Sequence, residues 1–176
     1  MVGSLGETAI SGVYLGNQLQ SLLQTIVLGI DSAMLVLAAQ YWGRRDTRRI
    51  KCLFAIALRL GVLLGTVFTV AAAVFPHAVL RLFIQDETVI AEGTRYVRFV
   101  CWSYVLFSAS QLMITAMRSV ESVRIGMYAS FISLSVNIVL NYIFIFGKLG
   151  APAMGAAGAG LATLISRCVE LLVVCI

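Results

Sequence analysis

The sequence predicts an all-α polytopic membrane protein of about five transmembrane helices, read as a single transmembrane domain over residues 1–176. Three observations carry that expectation. The chain is 60% hydrophobic and 12% charged, against about 25% charged residues in a soluble domain. Its mean hydropathy is +0.96. Apolar runs recur along it, each at least as long as the roughly 18–20 residues that span about 30 Å of hydrocarbon as helix.

The runs fall at about 9–40, 51–75, 88–115, 125–146 and 154–176. The first and third exceed what a bilayer needs, so tilt or projection into water must absorb the excess. Gly43-Arg44-Arg45-Asp46 separates the first from the second, and Pro76 ends the second. Asp86-Glu87 places acids where the third helix starts, complementing its dipole. Residues 76–87 between them read as a short interfacial helix. Arg118 to Arg124, with Val120 in its middle, parts the third run from the fourth, and Gly147 to Pro152 closes the fourth.

Orientation follows from the cations. Arg44, Arg45, Arg48, Arg49, Lys51, Arg118 and Arg124 fall on one side; Arg81, Arg95, Arg98 and Lys148 fall on the other. The richer side is expected to be cytoplasmic, which puts the N-terminus outside and the C-terminus in the cytoplasm. An exported N-terminus with no positively charged leader implies a preceding helix. The apolar ending Leu171 to Ile176 implies a continuation.

The net charge of +5 sits in short clusters between apolar runs, which argues against a nucleic-acid partner and for the lipid bilayer. Cys52, Cys101, Cys168 and Cys175 form no CxxC pair and read as small hydrophobes. His77 is the one histidine, which excludes an HExxH metal site, and no catalytic grouping suggests an enzyme.

Polar residues recur at helical steps inside the runs. Tyr14, Asn17, Ser21, Gln24 and Asp31 share a face of the first; Tyr104, Ser108, Gln111 and Thr115 share one of the third; Ser130, Ser133, Asn137 and Asn141 share one of the fourth. Thr163, Ser166 and Glu170 continue the device in the fifth. Lipid offers such groups no partners, so these faces should meet one another or water, as interhelical hydrogen bonds or as the lining of an ion or substrate cavity. Asn137 and Asn141, one turn apart, gather carboxamide donors and acceptors at one depth.

Gly155 to Gly160 lacks the spacing of a phosphate loop and reads as small-residue helix packing. Tyr41, Trp42, Tyr96 and Tyr142 read as interfacial anchors. Trp102 and Tyr104 lie deeper, in the core or against an aromatic or cationic ligand. Asp31 and Arg59 are symmetric about residue 45, so an antiparallel hairpin would set them at similar depth as a buried ion pair. A titratable cation site at Asp31 is the alternative.

Several stretches together resemble the multidrug and toxic compound extrusion (MATE) transporters: Val36-Leu37-Ala38-Ala39-Gln40-Tyr41-Trp42-Gly43 with Asp46, Leu80-Arg81-Leu82-Phe83, Tyr96-Val97-Arg98, Asn137 through Gly147, and Gly158 through Arg167. The resemblance implies twelve helices in two six-helix lobes that export organic cations or drugs in exchange for Na⁺ or H⁺. The five runs then look like helices two to six of the first lobe, with helix one and the second lobe as absent partners. It further implies that Asn137 and Thr163 belong to a first-lobe ion site. Asn141 falls where many members carry aspartate; an amide cannot titrate, but its carbonyl can coordinate Na⁺. The expected location is a bacterial plasma (inner) membrane, and no cofactor is expected beyond the coupling ion. Two alternatives stay open: a lipid-linked precursor or polysaccharide flippase of related architecture, and a membrane fragment inactive in transport.

Overall fold

The computed structural model describes residues 7–119, 123–146 and 155–175. They form seven helices: α1 Glu7–Gly43, α2 Thr47–Val74, α3 Pro76–Arg81, α4 Glu87–Val100, α5 Ser103–Ser119, α6 Val123–Phe146 and α7 Ala156–Cys175. Four of them, α1, α2, α6 and α7, are long and apolar enough to cross a membrane, and the bent α4–α5 pair has the length and composition for a fifth when the two helices are counted as one span. Val120 and the Gly147–Pro152 punctuation lie outside the described residues.

The α1–α2 reversal is tight. Arg45 adopts a left-handed backbone with φ 56°, and the amides of Arg45 and Asp46 return to the carbonyls of Trp42 and Tyr41. Asp46 then caps α2, accepting from the Arg49 amide at 3.2 Å and pairing with the Arg49 guanidinium at 3.1 Å. Pro76 opens α3, where its missing N–H costs nothing. Asp86 caps α4 by accepting from Thr88.

The third apolar run is not the one helix its sequence predicts. It breaks at Cys101 and Trp102, and α5 leaves α4 at 52°. Neither Pro nor Gly stands at the break; hydroxyls receive the carbonyls that leave the helical ladder. Ser103 Oγ donates to Val100 O at 2.6 Å and Thr69 Oγ1 of α2 donates to Cys101 O at 2.9 Å. Buried polar backbone is tolerated in apolar surroundings when neighbouring helices re-satisfy it in this way.

The core runs through the middle of the bundle, where Leu23 and Val27 of α1 meet Ile90, Val97 and Val100 of α4 and Tyr104 of α5, with Leu80 of α3 beneath. Small residues set the helix spacing. A Cβ at Gly12 would stand 2.7 Å from the Gly93 amide nitrogen, so α1 and α4 touch backbone to backbone. Gly158 and Gly160 do the same for α7, against the carbonyl oxygens of Phe144 and Tyr96 at 2.7 and 2.8 Å, as the glycine-rich stretch predicts. The outer faces of α1, α2 and α6 expose Leu28, Leu63, Phe131 and Val139, as lipid contact requires.

The Asp31–Arg59 pair does not form. Met34 of α1 meets Ala57 of α2, and Arg59 lies two residues beyond Ala57, turned by roughly 200° to the outer face. There it borders a shallow groove with Leu58, Val62, Leu63 and Thr66. Asp31 instead faces α5, towards Thr115, Gln111 and Arg118. Symmetry about the turn sets depth, but the rotation of each helix decides which side chains meet.

Candidate functional site

Some members of each polar stripe converge on a cleft of ≈ 460 Å³. α1 contributes Asn17, Gln20 and Gln24; α4, Tyr96; α5, Phe107 and Gln111; α6, Ser130, Ser133 and Asn137; α7, Thr163, Ser166, Arg167 and Glu170. α1, α5, α6 and α7 send in residues mostly three, four or seven apart because those positions share a face.

One wall is a hydrogen-bonded seam between α6 and α7. Asn141 Nδ2 donates to Asn137 Oδ1 at 2.9 Å, and Asn137 Nδ2 donates to Ser166 Oγ at 3.1 Å. Ser133 Oγ donates across to the Ser166 carbonyl at 3.0 Å. Ser166 and Thr163 also return to their own helix, Ser166 to Thr163 O and Thr163 to Ala159 O, both at 2.9 Å. The opposite wall is tied by Tyr96, whose hydroxyl donates to Asn17 Oδ1 at 2.9 Å.

The charge in the cleft is balanced. Arg167 Nη1 lies 2.6 Å from Glu170 Oε2, and the guanidinium sits over the Phe107 ring at 4.9 Å. The cleft is therefore a polar surface of amides and hydroxyls with one compensated ion pair.

Of the predicted site residues, Gln24, Gln111, Asn137 and Thr163 line this cleft, and Asn141 joins it through Asn137. Tyr104 does not: it is fully buried in the core, and its hydroxyl has no hydrogen-bond partner among the described residues. Asp31 opens instead onto a second, smaller groove. Trp102 is 61% exposed at the α4–α5 break and does not line the cleft.

Tyr96, read from sequence as an interfacial anchor, is 4% exposed and forms part of the cleft wall. The signal that locates it is the four-residue spacing of Gly12 and Gly16 on α1, a small-residue face against which another helix can close. Gly16 lies directly against the Tyr96 ring. Among the described residues no group of three or more His, Cys, Asp or Glu side chains is placed to hold a metal.

A family model described as MatE matches residues 1–143. The chain belongs to the MATE family. It is 29% identical over 169 residues to "Probable multidrug resistance protein YoeA" of Bacillus subtilis (strain 168), covering 96% of this chain and 36% of that protein. It is 28% identical to "Multidrug resistance protein MdtK" of Yersinia enterocolitica, covering 93% of this chain and 36% of that protein. The chain thus spans little more than a third of the length of these curated MATE relatives. A solved structure described as MATE in the bent conformation superposes with a TM-score of 0.88 at 22% identity, over 98% of this chain and 38% of that one. The helical arrangement is accordingly that of MATE transporters, and the chain is an integral membrane protein.

Proposed function

We propose that this chain supplies part of one lobe of a secondary active efflux antiporter, exporting organic cations or drugs in exchange for Na⁺ or H⁺ by alternating access. The observation that carries the reading is the polar cleft of ≈ 460 Å³ inside an otherwise apolar bundle, a volume that suits a small organic molecule, for which pockets of about 300–1,000 Å³ are usual. Packing alone does not call for amides and hydroxyls from five helices to meet around open space. The names of the relatives, which describe multidrug resistance proteins, agree with it.

The balanced Arg167–Glu170 pair favours this reading over a flippase for strongly anionic lipid-linked substrates, which would call for uncompensated cations. Asn137, Asn141 and Thr163 are the proposed Na⁺-facing groups of the cleft. Asn137 Oδ1 already accepts from Asn141, so an ion there would have to displace that hydrogen bond. The basic α1–α2 turn is proposed to face the cytoplasm of a bacterial cell, and a second lobe of the same transporter to close the cleft.

The test is reconstitution of the chain with the sequence that flanks it in its coding region, followed by efflux of a fluorescent organic cation under an imposed Na⁺ or H⁺ gradient. Gradient-driven efflux that falls at least tenfold in Asn137→Ala is expected. Efflux indifferent to both the gradient and Asn137→Ala would refute the proposal.

A further inference from the structure

A carboxylate within a membrane-crossing helix is costly unless something balances it, so the surroundings of Asp31 are informative. Asp31 is 5% exposed and its Oδ1 has no hydrogen-bond partner among the described residues. It opens onto a groove of ≈ 110 Å³ between α1 and α5, walled on the α5 side by Gln111, Thr115 and Arg118. Thr115 is 4% exposed, and both Thr115 and Gln111 line the same groove as the carboxylate. On the α2 side the neighbouring contact is apolar, between Met34 and Ala57. The charge facing Asp31 is that of Arg118, an exposed residue at the rim of the groove.

We propose that Asp31, Thr115 and Gln111 form a binding site for Na⁺, separate from the polar cleft, with Arg118 as its built-in competitor. The groove has room for an ion and a few waters, each about 30 Å³, and is too small for an organic substrate. Its donor atoms are hard oxygens: a carboxylate, a hydroxyl and the Gln111 carbonyl, which a half-turn of the amide brings to face the ion. A divalent ion is disfavoured, because one carboxylate neutralises a monovalent ion once Arg118 has turned away but leaves a divalent one half uncompensated. The long Arg118 stem lets its guanidinium lean towards Asp31 when the site is empty and out to water or headgroups when the ion is bound. Gln111 also lines the polar cleft, so occupancy of the groove would turn an amide in the cleft wall.

The claim concerns binding and stands apart from the exchange reading. Thermal unfolding of the chain in detergent micelles tests it, with NaCl titrated against choline chloride at constant ionic strength and pH, since a ligand of the native state raises Tm by mass action. Tm should rise with Na⁺. Asp31→Asn should weaken the dependence at least tenfold, Arg118→Gln should lower the half-maximal Na⁺ concentration at least threefold, and Arg59→Gln, on the outer face of α2, should leave it unchanged. Should Asp31→Asn fail to fold, Thr115→Val takes its place and should weaken the response at least tenfold. The proposal is overturned if the Asp31 variant, or Thr115→Val in its stead, keeps the wild-type response, or if Arg118→Gln leaves it unmoved or weakens it. It is equally overturned if Tm follows pH but not Na⁺, or if Asn137→Ala alone removes the response.

Discussion

Glu170→Gln isolates the charge of the carboxylate that balances the cleft, because the substitution keeps shape and one oxygen. The Glu170 side chain is 6% exposed and that of Arg167 is 26% exposed, with 2.6 Å between them. Stranding one member of a fully buried pair costs about 3–5 kcal/mol. Arg167 keeps partial access to water and the Phe107 face at 4.9 Å, a contact worth about 0.5–2 kcal/mol. The cost of Glu170→Gln should therefore be nearer about 2 kcal/mol. Arg167→Met strands the more deeply buried partner and should cost about 3 kcal/mol or more. The double variant leaves no lone charge, and should lie within about 1 kcal/mol of the parent. Reversible unfolding by sodium dodecyl sulfate in mixed micelles gives all four corners of the cycle. Additivity of the two single substitutions within about 0.5 kcal/mol would refute the argument, since it would mean that the two charges do not act on one another.

Two further predictions use the packing and the caps. Gly158→Ala drives a Cβ to 2.7 Å from the Phe144 carbonyl oxygen, where backbone must shift, and should destabilise by about 1–3 kcal/mol; Gly29→Ala meets nothing within 4 Å and should gain up to about 1 kcal/mol from helix propensity. The same unfolding assay reads both, and an equal cost at the two positions would contradict the close α6–α7 approach. Asp86, in the link before α4, has its carboxyl pKa held below the ordinary value by the Thr88 hydroxyl and amide, which donate to Oδ1 at 2.7 and 2.9 Å. A depressed carboxylate contributes stability that is complete above its unfolded pKa of about 3.9 and is lost as pH falls through the folded value. Hydrogen exchange in the first turn of α4, corrected for its intrinsic pH dependence, should quicken below about pH 4 in the parent chain and not in Asp86→Asn. The same acid-induced quickening in both would show that the cap does not titrate.

Sequence periodicity located the cleft's residues but not their partners, and the reason is physical. Asn17, Gln24, Asn137 and Thr163 are legible because lipid cannot satisfy them, so their shared faces must turn away from it, towards one another or towards open space, whatever the details of packing. Which face meets which is a matter of helix rotation, and for a pair such as Asp31 and Arg59 that is set by apolar contacts elsewhere. Met34 against Ala57 fixes α2 so that Arg59 turns outwards, and leaves Asp31 to α5. The break at Cys101 follows the same logic. Its enabling hydrogen bond comes from Thr69, 32 residues earlier and on another helix, so no local signal could reveal it. Tyr96 marks the opposite case, since its burial was written in Gly12 and Gly16, which open α1 to close approach by α4. In an apolar bundle, then, polar spacing says which faces turn away from lipid, small-residue spacing says where helices can touch, and the cleft lies where touching helices leave polar faces apart.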